Sequence, residues 1–315
     1  MLPHAPSELI LNPDGSVYHL GLTGEDIPNL IFTVGDPDRV SGVTQHFDSI
    51  AWTKQRREFT IVRGMLKEKD VLVLSTGMGT DNIDIVVNEL DAAVNIDPKT
   101  RMNRTQLRKL TIIRIGTSGA IDPNIPLGTH LLSAGALAFD GLLPFYQHPF
   151  KTVTVPGAPL DPFYIPAPCN TSNAQGIPEL MLGITATLPG FYAPQGRTIR
   201  TSSVFKEAMD VLHHQSFDGY SLTNFEMETA GIYALATLLG HEAYSFSALL
   251  ANRAAGTFHD KPAQAVESLI RKVLDWAVEL DAYTQTKRPR RRAFCFLSCE
   301  PLPSARSRNA IPESP

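Results

Sequence analysis

Cysteine is scarce in this sequence, and long apolar runs are missing. Three cysteines among 315 residues are too few for a disulfide framework, so a reducing, cytoplasmic environment is expected. No apolar run approaches the ~18 residues that a membrane-spanning helix needs. The N-terminus has neither the basic start nor the apolar core of a signal peptide. We therefore expect neither a disulfide-rich secreted domain nor a membrane protein.

Basic charge is also scarce, except at one end of the chain. The segment 287–315 carries seven basic and two acidic residues, a net charge of +5, whereas 1–286 carries −9. Such an acidic body lacks the basic surface that dominates nucleic-acid affinity. We predict a single domain over 1–286 and a disordered, proline-rich tail over 287–315. A solvated appendage is favoured for the tail, with RNA, acidic lipid or an import receptor as alternative partners of its arginine run.

Apolar and helical segments alternate along the body. Most apolar segments are continuous, which is typical of strands covered on both faces. Strands are predicted at 30–34, 71–75, 110–115, 130–133, 182–187 and 243–250. Helices are predicted at 83–94, 205–213, 226–239 and 266–280. This alternation predicts an α/β protein with a mostly parallel or mixed sheet.

Proline is concentrated in one stretch, 143–178. It holds eight prolines and several aromatic residues, and so many prolines exclude a continuous helix. We predict a long surface excursion. Such a loop either forms a wall or lid of a binding site or only decorates its rim.

Two strand ends carry groups suited to an anion. Gly35 allows a close backbone approach after the first strand, and Arg39 offers a charged fork suited to phosphate or carboxylate. An ordinary turn is the alternative there. Arg114 lies in an apolar strand, where its burial requires a facing anion or carboxylate. Thr117 adds a hydroxyl at the carboxyl end, where open α/β sheets bind ligands. A structural ion pair is the alternative for Arg114.

Two later segments offer groups for a planar base and a sugar. Gln195 and Arg197 together supply donors and an acceptor that can read an amide edge, and Phe191 can stack on a ring. A plain polar loop is the alternative. Glu226 and Glu228 open a predicted helix, where acids are ordinary partners of the helix dipole. Because they lie two residues apart, one carboxylate can face a cleft and accept from two vicinal ribose hydroxyls.

Several other chemistries lack their motifs. The glycine-rich segment 75–80 has neither the third glycine of a dinucleotide fingerprint nor the lysine of a P-loop. No HExxH motif, cysteine–histidine metal cluster or Gly-x-Ser-x-Gly elbow occurs. We therefore expect no resident metal and no covalent nucleophile of these kinds.

Taken in order, these segments resemble the nucleoside phosphorylase family, and its uridine phosphorylase branch most closely. The resemblance starts at Tyr-His-Leu-Gly-Leu-Thr, 18–23, and runs to the helix ending near Leu280, which leaves out the tail. It implies a three-layer α/β/α sandwich around a distorted mixed sheet, assembled as dimers that build a hexamer. It also implies reversible phosphorolysis of a pyrimidine nucleoside, in which uridine and phosphate give uracil and ribose 1-phosphate for nucleoside salvage or catabolism.

The resemblance assigns a role to each candidate residue. The phosphate-binding residues would be Gly35, Arg39, Arg57, Arg114 and Thr117, and the three arginines would be catalytic. Arg57 would come from the neighbouring subunit, and His19 would cross the same interface to the ribose 5′-hydroxyl. The ribose-binding residues would be His19, Glu226, Met227 and Glu228. The base-binding residues would be Phe191, Gln195 and Arg197.

The chain also departs from the family pattern. Glu58, Met78 and Asn82 fall where some members bind a monovalent cation such as K⁺, but Thr80 and Asn82 replace a glycine and a serine there. We expect inorganic phosphate as co-substrate and no cofactor. The aspartate of purine-specific relatives is missing after the strand 243–250, which favours a pyrimidine. The alternatives are a purine phosphorylase or nucleosidase on the same fold, or a non-catalytic nucleoside-binding or storage protein.

Overall fold

The structure is a computed structural model that describes residues 2–206 and 208–286. The predicted tail, 287–315, lies outside the described residues. The strands are β1 (Leu30–Val34), β2 (Ser49–Arg56), β3 (Phe59–Leu66), β4 (Lys69–Ser75), β5 (Ile96–Asp97), β6 (Met102–Asn103), β7 (Thr111–Ala120), β8 (His130–Ala138), β9 (Lys151–Thr152), β10 (Phe163–Pro166), β11 (Leu180–Thr187), β12 (Ser216–Phe217), β13 (Tyr220–Glu226), β14 (Glu242–Asn252) and β15 (Thr257–Phe258). The helices are α1 (Asp38–Thr44), α2 (Thr80–Asn95), α3 (Met209–Leu212), α4 (Thr229–Leu239) and α5 (Pro262–Thr286). Among the described residues, none of these helices has the length and apolar character that crossing a bilayer requires.

A mixed sheet forms the centre of the fold. Its strands follow the order β12-β13-β11-β8-β14-β7-β1-β4-β3-β2. β1 pairs in parallel with β4 and β7, while β2 and β3 add an antiparallel edge. β13 also pairs antiparallel with β7, so that β7, β14, β8, β11 and β13 close on themselves. This closure produces the distorted mixed sheet that the resemblance implied.

Helices cover both faces of the sheet. On one face, α2 and α4 bury Ile83, Leu90 and Tyr233. On the other face, α5 buries Leu269 and Val273 together with residues of α1. Each large apolar side chain fully removed from water contributes about 1.5–3 kcal/mol, so these two interfaces hold the helices against the sheet. The three-layer α/β/α architecture is therefore confirmed.

Strand β7 is longer than the sequence predicts. The strand predicted at 110–115 continues through the glycine-rich segment to Ala120. The neighbours supply the reason, because Gly116 pairs with Ser247 of β14 and Gly119 pairs with Phe225 of β13. Pairing on both sides overrides the weak strand propensity of these residues.

Two predicted helices have different bounds. The helix predicted at 226–239 begins only at Thr229, because the preceding residues form the unpredicted strand β13. The helix predicted at 205–213 is reduced to the single turn of α3. There, Oγ of Ser203 accepts from the backbone N–H of Phe205 (3.2 Å) and Ser203 donates to the carbonyl of Ala193, so the serine stabilises a turn instead of capping a helix.

The proline-rich excursion, 143–178, contains no α-helix, as predicted. It contributes β9 and β10, and β10 pairs with β8. It is also well packed, because Leu143, Val155 and Ile165 are buried and the hydroxyl of Tyr146 accepts from Asn88 of α2 (2.9 Å). The excursion is therefore part of the protein's packing, and its role as a wall of the binding site stays a prediction.

Candidate active site

Arg39 and Arg114 lie close to one another beyond the end of β1. From the first turn of α1, Nη1 of Arg39 donates to the carbonyl of Ile115 (3.3 Å), the neighbour of Arg114 on β7. Burial lowers the pKa of Arg39, and the positive charge of Arg114 lowers it further. Two cations held this near each other favour the binding of an anion beside them. The structure thus brings together the two arginines that the sequence singled out.

Two glycines make room beside these arginines. A side chain on Gly35 would begin 3.3 Å from the carbonyl of Gly77, where the ends of β1 and β4 approach each other. A side chain on Gly116 would begin only 2.0 Å from Nη1 of Arg114. Thr117 follows on β7 and is half-buried. Gly35, directly after β1, therefore allows a close approach of two backbone segments, and Gly116, inside β7, allows a close approach of the Arg114 guanidinium.

Arg114 is buried and already paired with two carboxylates. Its Nη2 donates to Oε2 of Glu228 (2.6 Å) and lies 3.1 Å from Oε2 of Glu226, while Nη1 donates to Oγ of Ser247 (3.3 Å). Burial opposes the charge of Arg114, but the two carboxylates outweigh it and raise its pKa. The structural ion pair left open by the sequence therefore exists. These contacts leave further N–H donors of the guanidinium for a second anion.

Glu226 is occupied by protein donors, which differs from its predicted contact with ribose. Its Oε1 accepts from Oγ1 of Thr187 (2.5 Å), and its Oε2 accepts from the backbone N–H groups of Glu228 and Thr229 (2.9 Å each). The carboxylate therefore fixes the turn from β13 into α4 and contacts Arg114 as well. This geometry favours a positioning role for Glu226 over direct binding of the sugar.

Glu228 directly precedes α4, and its carboxylate lies at the start of α2, beside Arg114. Its Oε1 accepts from the backbone N–H of Gly79 (2.8 Å), where the helix dipole also favours a negative charge. Burial raises the pKa of Glu228, and Arg114 opposes that rise. Each carboxylate oxygen can accept a second hydrogen bond, so Glu228 can also take sugar hydroxyls. Met227 precedes it and is half-buried.

A third buried carboxyl group, Asp140, was not predicted from the sequence. It follows β8, and its Oδ1 accepts from the backbone N–H of Leu142 (2.9 Å). Burial raises its pKa, and the nearby Glu226 raises it further. An aspartate directly after an apolar strand is the signal that could have drawn attention to it.

The predicted base-binding residues converge on one small turn. Gln195 is buried in the 3-10 turn Ala193–Gln195, and its Oε1 accepts from Nη1 of Arg197 (2.6 Å). The guanidinium of Arg197 lies 3.6 Å from the ring centre of Phe191. Phe191 is 52% exposed, so its side chain is accessible to a ligand. The turn therefore presents an aromatic surface beside an amide and a guanidinium.

Arg253 adds a second guanidinium to this turn, and sequence reasoning missed it. Its Nη2 donates to the carbonyl of Gln195 (3.3 Å), while its buried Nε has no partner among the described residues. Burial, with Arg253 close by, lowers the pKa of Arg197 to about 10. The available signal was its position directly after β14, at the carboxyl end of a buried strand. Two neighbouring cations favour an electron-rich group at this end of the site.

The two residues predicted to cross a subunit interface lie in one cluster. Arg57 is exposed at the β2–β3 turn, with its guanidinium 5.1 Å from the ring of Tyr18. Nδ1 of His19 lies 2.6 Å from Oε1 of Glu89. Among the described residues, neither Arg57 nor His19 forms a hydrogen bond or ion pair with the buried Arg114. Their delivery to a neighbouring copy stays a prediction.

The candidate cation residues surround the end of β4. The carbonyl of Glu58 accepts from Oγ of Ser75 (3.4 Å), and Met78 is 77% exposed in the loop that follows. Asn82 lies in the first turn of α2, close to Gly77. Within 2–206 and 208–286, no group of three or more His, Cys, Asp or Glu side chains is arranged to hold a metal ion. Binding of a monovalent cation here stays a prediction.

A cavity of about 720 Å³ lies elsewhere, beside the amino ends of β1 and β7. Its two arginines contact protein groups: Arg63 pairs with Asp70 (2.7 Å), and Arg108 donates to the carbonyls of Gly24 (2.8 Å) and Ile27 (2.6 Å). None of the candidate site residues lines it. The chemistry of the candidate site therefore lies at the opposite, open end of the sheet.

Comparisons with known proteins agree with this architecture. A model of the phosphorylase superfamily matches residues 29–279. The uridine phosphorylase of Thermococcus kodakarensis is 30% identical over 273 residues, which cover 84% of this chain and 90% of that protein. The guanosine phosphorylase of Halorubrum lacusprofundi is 23% identical over 257 residues, covering 82% and 91%. The crystal structure of a Trypanosoma brucei nucleoside phosphorylase with uridine phosphorylase activity superimposes with a TM-score of 0.76 at 25% identity, covering 86% of this chain and 99% of that one.

Proposed function

We propose that this chain, which belongs to the phosphorylase superfamily, catalyses the reversible phosphorolysis of a pyrimidine nucleoside, with uridine as its substrate. It is a pentosyltransferase of the nucleoside phosphorylase kind, and its substrates are a nucleoside and phosphate. The observation that carries the proposal is the pair of neighbouring guanidinium groups, Arg39 and Arg114, beside the buried carboxylate of Glu228. The two guanidinium groups suit phosphate, which is a dianion, and the carboxylate of Glu228 suits the hydroxyl groups of ribose.

The reaction builds opposite charges on the two parts of the nucleoside. As the C1′–N1 bond breaks, its electrons leave with uracil, and the ribose gains positive charge. A phosphate oxygen then forms the new bond to C1′, and the uracil anion takes up a proton to give neutral uracil. Arg39 and Arg114, with Thr117 and the backbone at Gly35, would hold the phosphate in position for this attack. Catalysis then rests on electrostatic stabilisation instead of a protein nucleophile.

The ribose would lie between the phosphate and the turn at Met227. Glu228 would accept from the 2′- and 3′-hydroxyls, and Met227 would cover one face of the sugar. Because Arg114 donates to Glu228, the same guanidinium can contact the group that holds the sugar and the anion that attacks it. Glu226 supports both from behind through its contacts with Arg114 and the backbone of Glu228.

The base would bind at the Phe191–Arg197 turn. Gln195 offers both a donor and an acceptor to the amide edge of uracil, and Arg197 can stabilise the oxygens of the departing anion. Arg253, next to them, adds positive charge on the same side. The segment 247–253, at the carboxyl end of β14, contains no aspartate, and an aspartate there is what the family resemblance associates with purines. These features support a pyrimidine over a purine.

A second copy of the chain would complete the site. Arg57 would add a third guanidinium to the phosphate, and His19 would contact the ribose 5′-hydroxyl. The exposed position of Arg57 and its contact with the segment that carries His19 support delivery of both by one surface. Dimers that build a hexamer are the proposed assembly. Phosphate is the co-substrate and no cofactor is proposed, and a reducing cytosol remains the expected location from the cysteine count.

A panel of nucleosides assayed with phosphate tests the proposed specificity. Uridine should be cleaved much faster than inosine or guanosine, because the guanidinium-rich turn complements the carbonyl oxygens of uracil. Base release is measured by absorbance and confirmed by chromatography. Faster cleavage of guanosine or inosine than of uridine would contradict the pyrimidine assignment while leaving phosphorolysis intact, and binding without any base release would favour the storage alternative.

A further inference from the structure

Both carboxylate oxygens of Glu89 contact one short segment of the chain, His19 and Leu20. From α2, Oε1 lies 2.6 Å from Nδ1 of His19 and accepts from its backbone N–H (2.9 Å), while Oε2 accepts from the N–H of Leu20 (2.8 Å). The Glu89 side chain is only 15% exposed, whereas that of His19 is 32% exposed. One acid thus fixes both the backbone and the ring of a histidine that reaches the surface.

An aromatic contact also holds the histidine ring. The ring of Tyr18 packs edge-on against it, with centroids 4.9 Å apart and an interplanar angle of 80°. The same tyrosine ring carries the guanidinium of Arg57 at 5.1 Å. His19 is therefore held both by an aromatic contact and by a carboxylate. These contacts limit the rotation of the imidazole and join it to Arg57 in one cluster.

The bond to Glu89 decides which imidazole nitrogen is available. A carboxylate is an acceptor, so Nδ1 of His19 carries the proton in this contact. Nε2 then points away from Glu89 and, in the neutral ring, can accept from a hydroxyl group. Second partners of this kind set the tautomer and orientation of functional histidines.

We propose that Glu89 is a positioning residue, which orients His19 so that Nε2 accepts from the ribose 5′-hydroxyl of a nucleoside bound to a neighbouring copy. This inference rests on the proposed function, which supplies the nucleoside and the second copy. It deepens that function by assigning to α2 the task of ordering a surface histidine before the substrate arrives. A preorganised group loses less freedom on binding and therefore binds more tightly.

The test compares uridine with 5′-deoxyuridine, which lacks the 5′-hydroxyl, in the unmodified protein and in Glu89→Gln. For uridine, Glu89→Gln should lower kcat/KM about tenfold, mainly through a higher KM, because one oriented hydrogen bond is lost. For 5′-deoxyuridine, kcat/KM should hardly change. Asp91→Asn is the matched control, since it neutralises an acid two positions along the same helix that contacts Asn95 and His241 instead. It should affect both substrates equally and little.

The outcomes separate a positioning role from a structural one. An equal loss for both substrates in Glu89→Gln would show that the residue only supports the fold, and it would overturn the inference. A ratio of kcat/KM for uridine to kcat/KM for 5′-deoxyuridine that is the same in Glu89→Gln as in the unmodified protein would overturn it as well. If Glu89→Gln does not fold, Glu89→Asp provides the same comparison with the charge retained and the carboxylate withdrawn by one methylene. Absence of uracil release by the unmodified protein would instead refute the proposed function itself.

Discussion

Arg114→Ala is expected to lower the turnover number for uridine phosphorolysis about a hundredfold, because it would remove a preorganised donor that we propose holds the attacking phosphate. It should also lower the free energy of unfolding by about 3–5 kcal/mol, because Glu226 and Glu228 would be left buried without their cation. Steady-state kinetics and denaturant unfolding measure the two effects separately. The expected result is thus a folded but weakened enzyme with little activity.

A charge-preserving variant and a neighbouring control separate these effects. Arg114→Lys keeps a cation beside the two carboxylates but loses the forked geometry that suits phosphate, so it should regain stability more than activity. Ser247→Ala removes only a 3.3 Å hydrogen bond to Nη1 of Arg114 and should stay close to the unmodified protein. Near-normal turnover in Arg114→Ala would mean that this arginine serves the ion pair alone.

Arg197→Ala should reduce turnover with uridine by a similar factor, about a hundredfold. Its guanidinium is held beside Gln195 and Phe191, where it can stabilise the negative charge that collects on departing uracil. The loss should be smaller with 5-fluorouridine, because its base is the more stable anion and depends less on the protein. Turnover of both substrates is measured under saturating phosphate.

Arg200 provides the matched control for this second variant. It is an exposed arginine three positions further along the same segment, so Arg200→Ala changes the charge equally without touching the turn. It should retain nearly full activity with both nucleosides. An equal loss for uridine and 5-fluorouridine in Arg197→Ala would contradict a role in stabilising the leaving group.

Continuous apolar strands and amphipathic helices were the parts of the fold that the sequence could predict. β1 was predicted with its observed bounds, and α5 extends the predicted helix at both ends. The apolar residues that bury these elements lie within each element, so the hydrophobic pattern can be read from the local sequence. β2 was missed because it is a polar edge strand that pairs with β3. β13 was missed because its pairing with β11 and β7 comes from distant parts of the chain.

The candidate site shows the same division between local and distant information. A buried arginine at position 114 required an anionic partner, and that requirement is confirmed. The sequence could not determine that Glu228 and Glu226 would supply it, since they lie more than a hundred residues further on. Nor could the sequence show that Glu226 accepts from the backbone N–H of Thr229 at the start of α4, or that Arg253 donates to the carbonyl of Gln195. Such contacts depend on how the sheet closes on itself.

The phosphate dependence of uracil release tests the central claim most directly. The purified protein is incubated with uridine, with and without inorganic phosphate. The formation of ribose 1-phosphate and of free ribose is followed by phosphorus and proton NMR. If Arg39 and Arg114 hold phosphate for attack on C1′, uracil and ribose 1-phosphate should form in equal amounts, and neither should form without phosphate. Uracil released together with free ribose, at a rate independent of phosphate, would contradict the account.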